Sequence, residues 1–400
     1  MRDGGVSLDN WDIKAEVVIS AVGARRLRQG HLWIYAADVV REPESPAAPP
    51  IVKMVDSAGN VQGYALYSRQ SQIRLRLLSR DSRPPTSQLF RDRLKASIRR
   101  RAGLTGPGTA CRLVFGEADL LPSIVVDRYG DFLVLQTLSY GADALRSEIV
   151  TWLEDELRPA GVVERNDVKA RRLEGLEPRK GLLAGTVPGR VEIVEAGLRF
   201  QVDLLGGQKT GFFLDQRDNR VAAGQYASGA ALDCFTNTGA FALHFATRCE
   251  SVTAVDTSAE SLAQGRANAT LNGITNVDFV EANVFDLLRE LEQAGRRFDL
   301  ICLDPPAFAK NRTSLAAAKG GYKELNLRAM KLLKPEGVLI TSSCSFHLSE
   351  SAFLTLLQQA AHDAHRYVQV IERRGQSRDH PVLLGMPETH YLKCFILRIL

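Results

Sequence analysis

The sequence predicts an α/β protein: a carboxyl-terminal, seven-stranded and mostly parallel sheet wound with helices on both faces, preceded by a small β-rich unit and an α+β unit. Three observations predict it. After Gln225, short apolar strands alternate with amphipathic helices, the pattern of parallel strands joined by helical crossovers. Before Arg83, apolar and polar residues alternate over "IVKMVDSAGNVQGYALYSRQSQIRLRLLS", with turn residues at Ala58-Gly59-Asn60. Between these two regions a helical spacing adjoins a two-strand pattern. The expected domain boundaries are 1–85, 86–190 and 191–400.

In chain order, the proline-rich segment Glu42–Pro50 reads as a surface loop, and "SRPPTS" from Ser82 acts as a linker and helix start. Apolar spacing from Leu89 to Arg101 is helical. "LPSIVVDRYGDFLVLQTLS" gives two strands about the turn Arg128-Tyr129-Gly130-Asp131, then a helix over Ala142–Leu157 and a strand near Val162–Glu164. A hairpin about Ala196-Gly197 leads into "GGQKTGFFLDQRDNR". Strands are then expected in "GAALDCF", "SVTAVD", "VDFVEAN", "FDLICLDPP" and "GVLITSSC", with helices through "AFALHFATR", Ser258–Asn272, Asp286–Ala294 and Tyr322–Leu333. "RYVQVIERR" and "LKCFILRIL" complete the seven strands.

A chain of 400 residues, 45% apolar and 24% charged, has the composition of a globular protein of two or three domains. No window approaches the ~18–20 apolar residues of a membrane helix, so the expected location is the cytoplasm, with no membrane partner. Six cysteines (Cys111, Cys234, Cys249, Cys302, Cys344, Cys394) are scattered without a C-x-x-C pair, and no histidine stands at ligand spacing. Neither a metal site nor a disulfide framework is expected. From Arg69 to Arg101, ten Arg and one Lys face only Asp81 and Asp92, a local net charge of +9 inside a chain of net +5. Concentrated arginine, including Arg69, Arg74 and Arg76, is the footprint of a phosphate-binding face, although a solvated helix face accounts for the charge equally well.

In open α/β sheets ligands bind beyond the carboxyl ends of the strands, so the residues just after each strand are informative. The first strand ends at Asp233 and its loop carries a lone Gly239 rather than G-x-G-x-x-G, which disfavours a dinucleotide. The second ends at Asp256, where a carboxylate can accept bonds from both ribose hydroxyls. A nucleoside without pyrophosphate points to S-adenosylmethionine and hence to a methyltransferase. The third ends at Asn283, an adenine-edge candidate. The fourth ends in Asp304-Pro305-Pro306-Ala307-Phe308, a stiff turn that offers a carboxylate to a base edge and a ring for stacking.

That turn does not choose the methylated atom, and Cys344 at the exit of the fifth strand does. Carbon 5 of a pyrimidine is too weak a nucleophile to take a methyl group directly, so a thiolate must first add to carbon 6. Cys344 stands among Thr341, Ser342, Ser343 and Ser345, and His347 is close enough in sequence to be an acid or base. Cys302, Cys111, Cys249 and Cys394 read as packing residues, and Cys234 lies near the cofactor loop without an evident role.

At this point the sequence resembles a known family, the bacterial PUA-domain-containing, class I (Rossmann-like) large-subunit ribosomal RNA cytosine-5 methyltransferases. "RRLRQGHLWIYAADV" and the hairpin segment look like the family's RNA-binding β-barrel, and "RLVFGEADLLPSIVVDRYGDFLVLQTLS" with "VVERNDVKARRLEGL" like its middle domain. "GGQKTGFFLDQRDNR", "DCFTNTGAFALH", "AVDTS", "DPPAF", "GGYKELN" and "SSCS" follow in the family's order. The resemblance implies that Lys209, Thr210, Phe212 and Gln216 surround the methionine end of S-adenosylmethionine, with Asp233, Phe235, Gly239, Asp256, Asn283, Asp304 and Pro305 along the rest of it. It implies Cys344 as nucleophile with Asp304 assisting, Pro306 and Phe308 beside the base, and large-subunit ribosomal RNA as the partner. Two departures stand out: Ala307 replaces the second cysteine of two-cysteine RNA cytosine methyltransferases, and Asn283 stands where an acid is usual. A purine-nitrogen methyltransferase using Asp304 and Phe308, a non-catalytic RNA-binding or assembly protein, and a homodimer through the carboxyl-terminal strand edge are left open.

Overall fold

The strand and helix alternation after Gln225 folds as expected. The computed structural model describes residues 13–44, 48–207, 209–308 and 315–400; residues 45–47 of the proline-rich loop, Gln208 of the "GGQKTGFF" segment and residues 309–314 lie outside the described set. The chain divides into two compact units: residues 1–193 with 202–212 and 379–389, and residues 194–201 with 213–378 and 390–400.

The second unit is built on seven strands: β1 (Ala230–Cys234), β2 (Ser251–Asp256), β3 (Val277–Glu281), β4 (Phe298–Leu303), β5 (Leu333–Ser343), β6 (Val368–Arg374) and β7 (Lys393–Ile399). Their order is β3-β2-β1-β4-β5-β7-β6. The first five are parallel, while β7 runs antiparallel to both β5 and β6. Helices α1 (Ala240–Ala246), α2 (Ala259–Leu271), α3 (Val284–Gln293), α4 (Leu315–Leu332) and α5 (Glu350–Asp363) connect them. The β strands are continuous apolar runs because both faces are covered: Leu232, Ile301, Leu303 and Leu339 are buried together with Tyr322, Leu325, Phe353 and Leu357 from the helices. Ser258 and Ser349 cap α2 and α5 by accepting from Ser261 N and Ala352 N, both at 3.2 Å.

Several elements differ from the sequence expectation, among them α4, which begins at Leu315 rather than near Tyr322, and β5, which begins at Leu333. Helix α3 begins two residues early because Asn283 is itself the cap, its Oδ1 accepting from Phe285 N at 2.9 Å. Helix α5, which the sequence reading left out, follows the Ser349 cap with Phe353, Leu356, Leu357 and Ala360 buried on one face. The helix expected over Ala142–Leu157 is two pieces, Tyr140–Ala144 and Arg146–Leu157, the first opened by Ser139.

The first unit holds two sheets. One has six strands, among them Ile51–Asp56, Val61–Tyr67 and Ile73–Ser79, paired antiparallel about the expected turn. Asp56 Oδ1 accepts from Ala58 N and Asn60 N and so closes that turn. The other has five strands from Ala110–Phe115 to Arg179–Gly185, including the expected pair Ile124–Tyr129 and Phe132–Thr137.

Candidate active site

The carboxyl edge of the parallel strands collects Asp233, Asp256, Asn283, Asp304 and Cys344, as their places at the ends of β1 to β5 require. Asp233 is buried, and Thr236 Oγ1 and Ala242 N donate to its Oδ2 at 2.5 and 3.0 Å. Apart from the weak thiol of Cys302 nearby, its Oδ1 meets no donor among the described residues. Burial, together with the charge of Asp304, pushes its carboxyl up to about 7.

The loop after β1 is wound tightly. Phe235, Asn237 and Gly239 have φ of +63°, +51° and +81°. Two non-glycine residues in the left-handed region cost free energy, and such conformations concentrate where backbone is shaped around a ligand. Asp256 holds this loop, its Oδ2 accepting from Asn237 N at 2.9 Å and its Oδ1 from Ser258 N at 3.0 Å. Gly239 has a second reason to lack a side chain: a Cβ there would lie 3.0 Å from the Phe279 ring.

At the end of β4 the amide of Gln216 donates to Asp304 Oδ1 at 2.8 Å. This bond sets Gln216, which the resemblance implied at the methionine end of the cofactor, beside Asp304. Pro305 is buried and Pro306 exposed. Phe308 does not stand alone: its ring lies 4.9 Å from Tyr322 and 6.1 Å from Phe285, centroid to centroid. The stacking partner expected for a base is therefore part of an aromatic cluster.

Cys344 is the one cysteine of the six that is not buried. Its Sγ lies 3.9 Å from Pro305 O. Burial pushes the thiols of Cys249 and Cys394 up to about 11 and about 12, and those of Cys234 and Cys302 well above their ordinary value. The sequence reading missed the neighbour on β7. Lys393 is 4% exposed and donates to Ser345 O at 2.7 Å and Tyr391 O at 2.9 Å. Burial pushes its ammonium down to about 8, opposed by the charges of Cys344 and Glu350. His347 instead packs edge-on against Phe346.

In the first unit, the motif residues Thr210 and Phe212 are buried. Thr210 Oγ1 donates to Asp127 Oδ2 at 2.6 Å and lies 3.0 Å from Tyr129 Oη, which accepts from Phe212 N at 3.2 Å. Arg112 grips the same Asp127 through two bonds of 2.8 Å. Lys209 has φ +51° and Gly211 +130°, so this segment is also wound through left-handed backbone.

The arginine-rich segment departs from its expectation. Arg76, 5% exposed, pairs with Glu174 at 2.8 Å, so it is an interior group rather than a phosphate contact. Arg74 pairs with Glu42 at 2.7 Å, Arg69 donates to Pro43 O at 2.7 Å, and Arg101 forms two bonds of 2.7 Å with Asp119. Arg91 and Lys95 meet Asp155 and Glu156 at 2.9 and 3.0 Å. Acids from outside the segment neutralise most of the charge that the sequence concentrates there.

Residues 17–80 match a PUA-like domain family, and residues 178–386 match the S-adenosylmethionine-dependent methyltransferase family. Among curated relatives, the Ribosomal RNA large subunit methyltransferase I of Photobacterium profundum is 41% identical over 93% of this chain and 96% of its own length. That of Klebsiella pneumoniae is 38% identical over 96% and 98%. The chain belongs to this methyltransferase family. Among solved structures, a SAM-dependent methyltransferase from Streptococcus mutans shares the fold of the enzyme at TM-score 0.81 and 23% identity, covering 96% of this chain and 99% of that one. SMU.776, a methyltransferase complexed with SAH, superposes at TM-score 0.82 with the same identity and coverage.

The methyltransferase uses S-adenosylmethionine, and the residues at the strand edge fit that group. A buried carboxylate oxygen of Asp233 stands without a strong donor, the loop beside it is wound through strained backbone, and Asp256 is fixed at the ribose position of the fold. No helix is long and apolar enough to cross a membrane among the described residues, and no cluster of potential metal ligands occurs among them.

Proposed function

We propose that the enzyme methylates carbon 5 of a cytosine in large-subunit ribosomal RNA through a covalent adduct with Cys344. The substrate class follows the names of its curated relatives. The observation that carries the chemistry is the contrast among six cysteines: five are buried, and the half-buried one leaves β5 beside the Asp304-Pro305 turn. In this reading the Cys344 thiolate adds to carbon 6, and the carbon 5–carbon 6 π pair shifts toward carbon 5. S-adenosylmethionine, when bound, supplies the electrophilic methyl group that carbon 5 takes. Loss of the carbon 5 proton then re-forms the double bond as the sulfur–carbon 6 bond breaks and returns the thiolate. Asp304 meets the charge that develops at N3 and the exocyclic amine. Lys393, electrostatically coupled to Cys344, favours its thiolate.

Asp233, Phe235, Gly239, Asp256, Asn283 and Pro305 are proposed to line the cofactor together with Lys209, Thr210 and Phe212. Pro306 is proposed to lie beside the base, and domains at 1–85, 86–190 and 191–400 to divide RNA binding from catalysis. The test is to supply unmodified ribosomal RNA and labelled S-adenosylmethionine, digest to nucleosides and identify the label by mass spectrometry. Label in 5-methylcytidine that disappears with Cys344→Ala is expected. Label in a methylated purine, or retention of activity by Cys344→Ala, overturns the reading.

A further inference from the structure

Four residues from three separate parts of the sequence form a single chain of hydrogen bonds ending on Asp304. Arg374 Nε donates to Asn219 Oδ1 at 2.9 Å, Asn219 Nδ2 donates to Gln216 Oε1 at 2.7 Å, and Gln216 Nε2 donates to Asp304 Oδ1 at 2.8 Å. Gln216 and Asn219 stand three residues apart, the first closing the short helix Leu214–Gln216 and the second in helix Arg217–Gly224. Both are almost completely buried, at 2% and 1% exposure, so bulk water cannot exchange for either partner.

The two ends of an amide side chain are assigned by their partners, and here the partners permit only one assignment. A guanidinium has donors alone, so the Asn219 atom facing Arg374 is its oxygen. A peptide carbonyl only accepts, and Gly375 O receives the second Asn219 Nδ2 hydrogen at 2.9 Å, which gives the same answer independently. Gln216 must then turn its oxygen to Asn219 and its amide hydrogens to Asp304. Arg374 is itself held, by Glu372 Oε2 at 2.5 Å and Asp218 O at 3.1 Å.

We infer that Arg374, Asn219 and Gln216 are positioning residues that fix Asp304 Oδ1 as an acceptor, so that any proton Asp304 shares with its substrate is carried on Oδ2. A proton on Oδ1 would make it a poorer acceptor for the Gln216 amide hydrogen. The inference rests on the reading of Asp304 as the group that meets the base. In that reaction the Oδ2 proton moves to N3 as charge builds there, the carboxylate left behind keeps the Gln216 hydrogen bond, and the proton returns when the sulfur–carbon bond breaks.

Gln216→Glu replaces the donor with a second carboxylate and is the test. Titratable groups facing Asp304 include Asp233 on β1, Cys302 on its own strand and Cys394 on β7, and Cys344 Sγ lies 3.9 Å from O of the adjoining Pro305. None of these is altered by the substitution. Expected are a kcat lower by about 10- to 100-fold, the range for partners that orient a reacting group, a pH–rate limb displaced by about one unit or more, and an affinity for S-adenosylmethionine within about twofold of the parent by calorimetry. Arg374→Lys, which keeps a donor, should retain most activity, whereas Arg374→Met should lower kcat with little change in KM. An unmoved pH profile overturns the relay. So does a loss of cofactor affinity with kcat intact, which would make Gln216 a cofactor ligand. Because the pH profile is read on whatever nucleoside the parent labels, failure of the cytosine assignment is seen separately in the nucleoside digest.

Discussion

Two regions drew attention in the sequence, and they behave oppositely once folded. The carboxyl edge of the second unit keeps its chemistry available: a carboxylate oxygen of Asp233 without a strong donor, a half-buried thiol at Cys344, and a buried ammonium at Lys393. The arginine-rich segment of the first unit consumes its charge internally, with Arg76, Arg74 and Arg101 paired to Glu174, Glu42 and Asp119. Position at a strand end is set by topology and is visible in local pattern. Net charge in a window says nothing about acids elsewhere in the chain that the fold brings to it.

The contrast can be broken by substitution. The largest effect is expected for Cys344→Ala, a loss of at least about 1,000-fold in kcat with cofactor affinity retained in calorimetry; near-normal turnover would place the chemistry elsewhere. Next is Arg76→Ala, which leaves Glu174 buried without its partner and should lower stability by about 3–5 kcal/mol in denaturant unfolding. A loss below about 0.5 kcal/mol, typical of a surface position, would return Arg76 to an exposed face. Asp256→Ala should weaken S-adenosylmethionine by about 10- to 100-fold, the range for a charged hydrogen-bond acceptor. Arg74→Ala should change RNA affinity least, by less than about threefold, because its half-buried guanidinium is already paired with Glu42; a tenfold loss with a shallower salt dependence would restore the phosphate-face reading.

Lys393 sharpens the same comparison through pH. Its folded value, about 8, lies below the ordinary lysine value of 10.5, so the unfolded chain binds more protons between them. Stability contributed by this site therefore rises with pH from about 8 to 10.5, with a slope of up to about 1.4 kcal/mol per unit. Lys393→Met should flatten that slope in unfolding curves collected across this window. An unchanged slope would show that the ammonium is not held in a desolvated place.

Much of the fold was legible because the apolar periodicities are strong. "GAALDCF", "SVTAVD", "FDLICLDPP" and "GVLITSSC" are strands where read, and the turns at Gly59, Gly130 and Gly197 stand where expected. Helix α5 was legible but passed over, since Ser349 caps a run with apolar residues at Phe353, Leu356, Leu357 and Ala360. The candidate residues Asp233, Asp256, Asp304 and Cys344 could be singled out because each stands at the carboxyl end of a strand. What could not be read were the partners that give each group its role. Gln216 meets Asp304 across 88 residues of sequence and Arg374 meets Asn219 across 155, Lys393 reaches the Cys344 neighbourhood through antiparallel pairing with β5, and Thr210, in a turn, finds Asp127 on the strand Ile124–Tyr129.

Strand β7 lies between β5 and β6, although both precede it in the chain. As the protein emerges from the ribosome, β5 therefore waits with an unpaired edge until residues 393–399 have been made. Lys393 opens that last strand, so a nascent chain that has already exposed Cys344 still lacks the cation coupled to it. On the proposed reading, Cys344 gains its neighbouring ammonium only once this last strand is paired, and a prematurely released chain would carry that thiol without the ammonium.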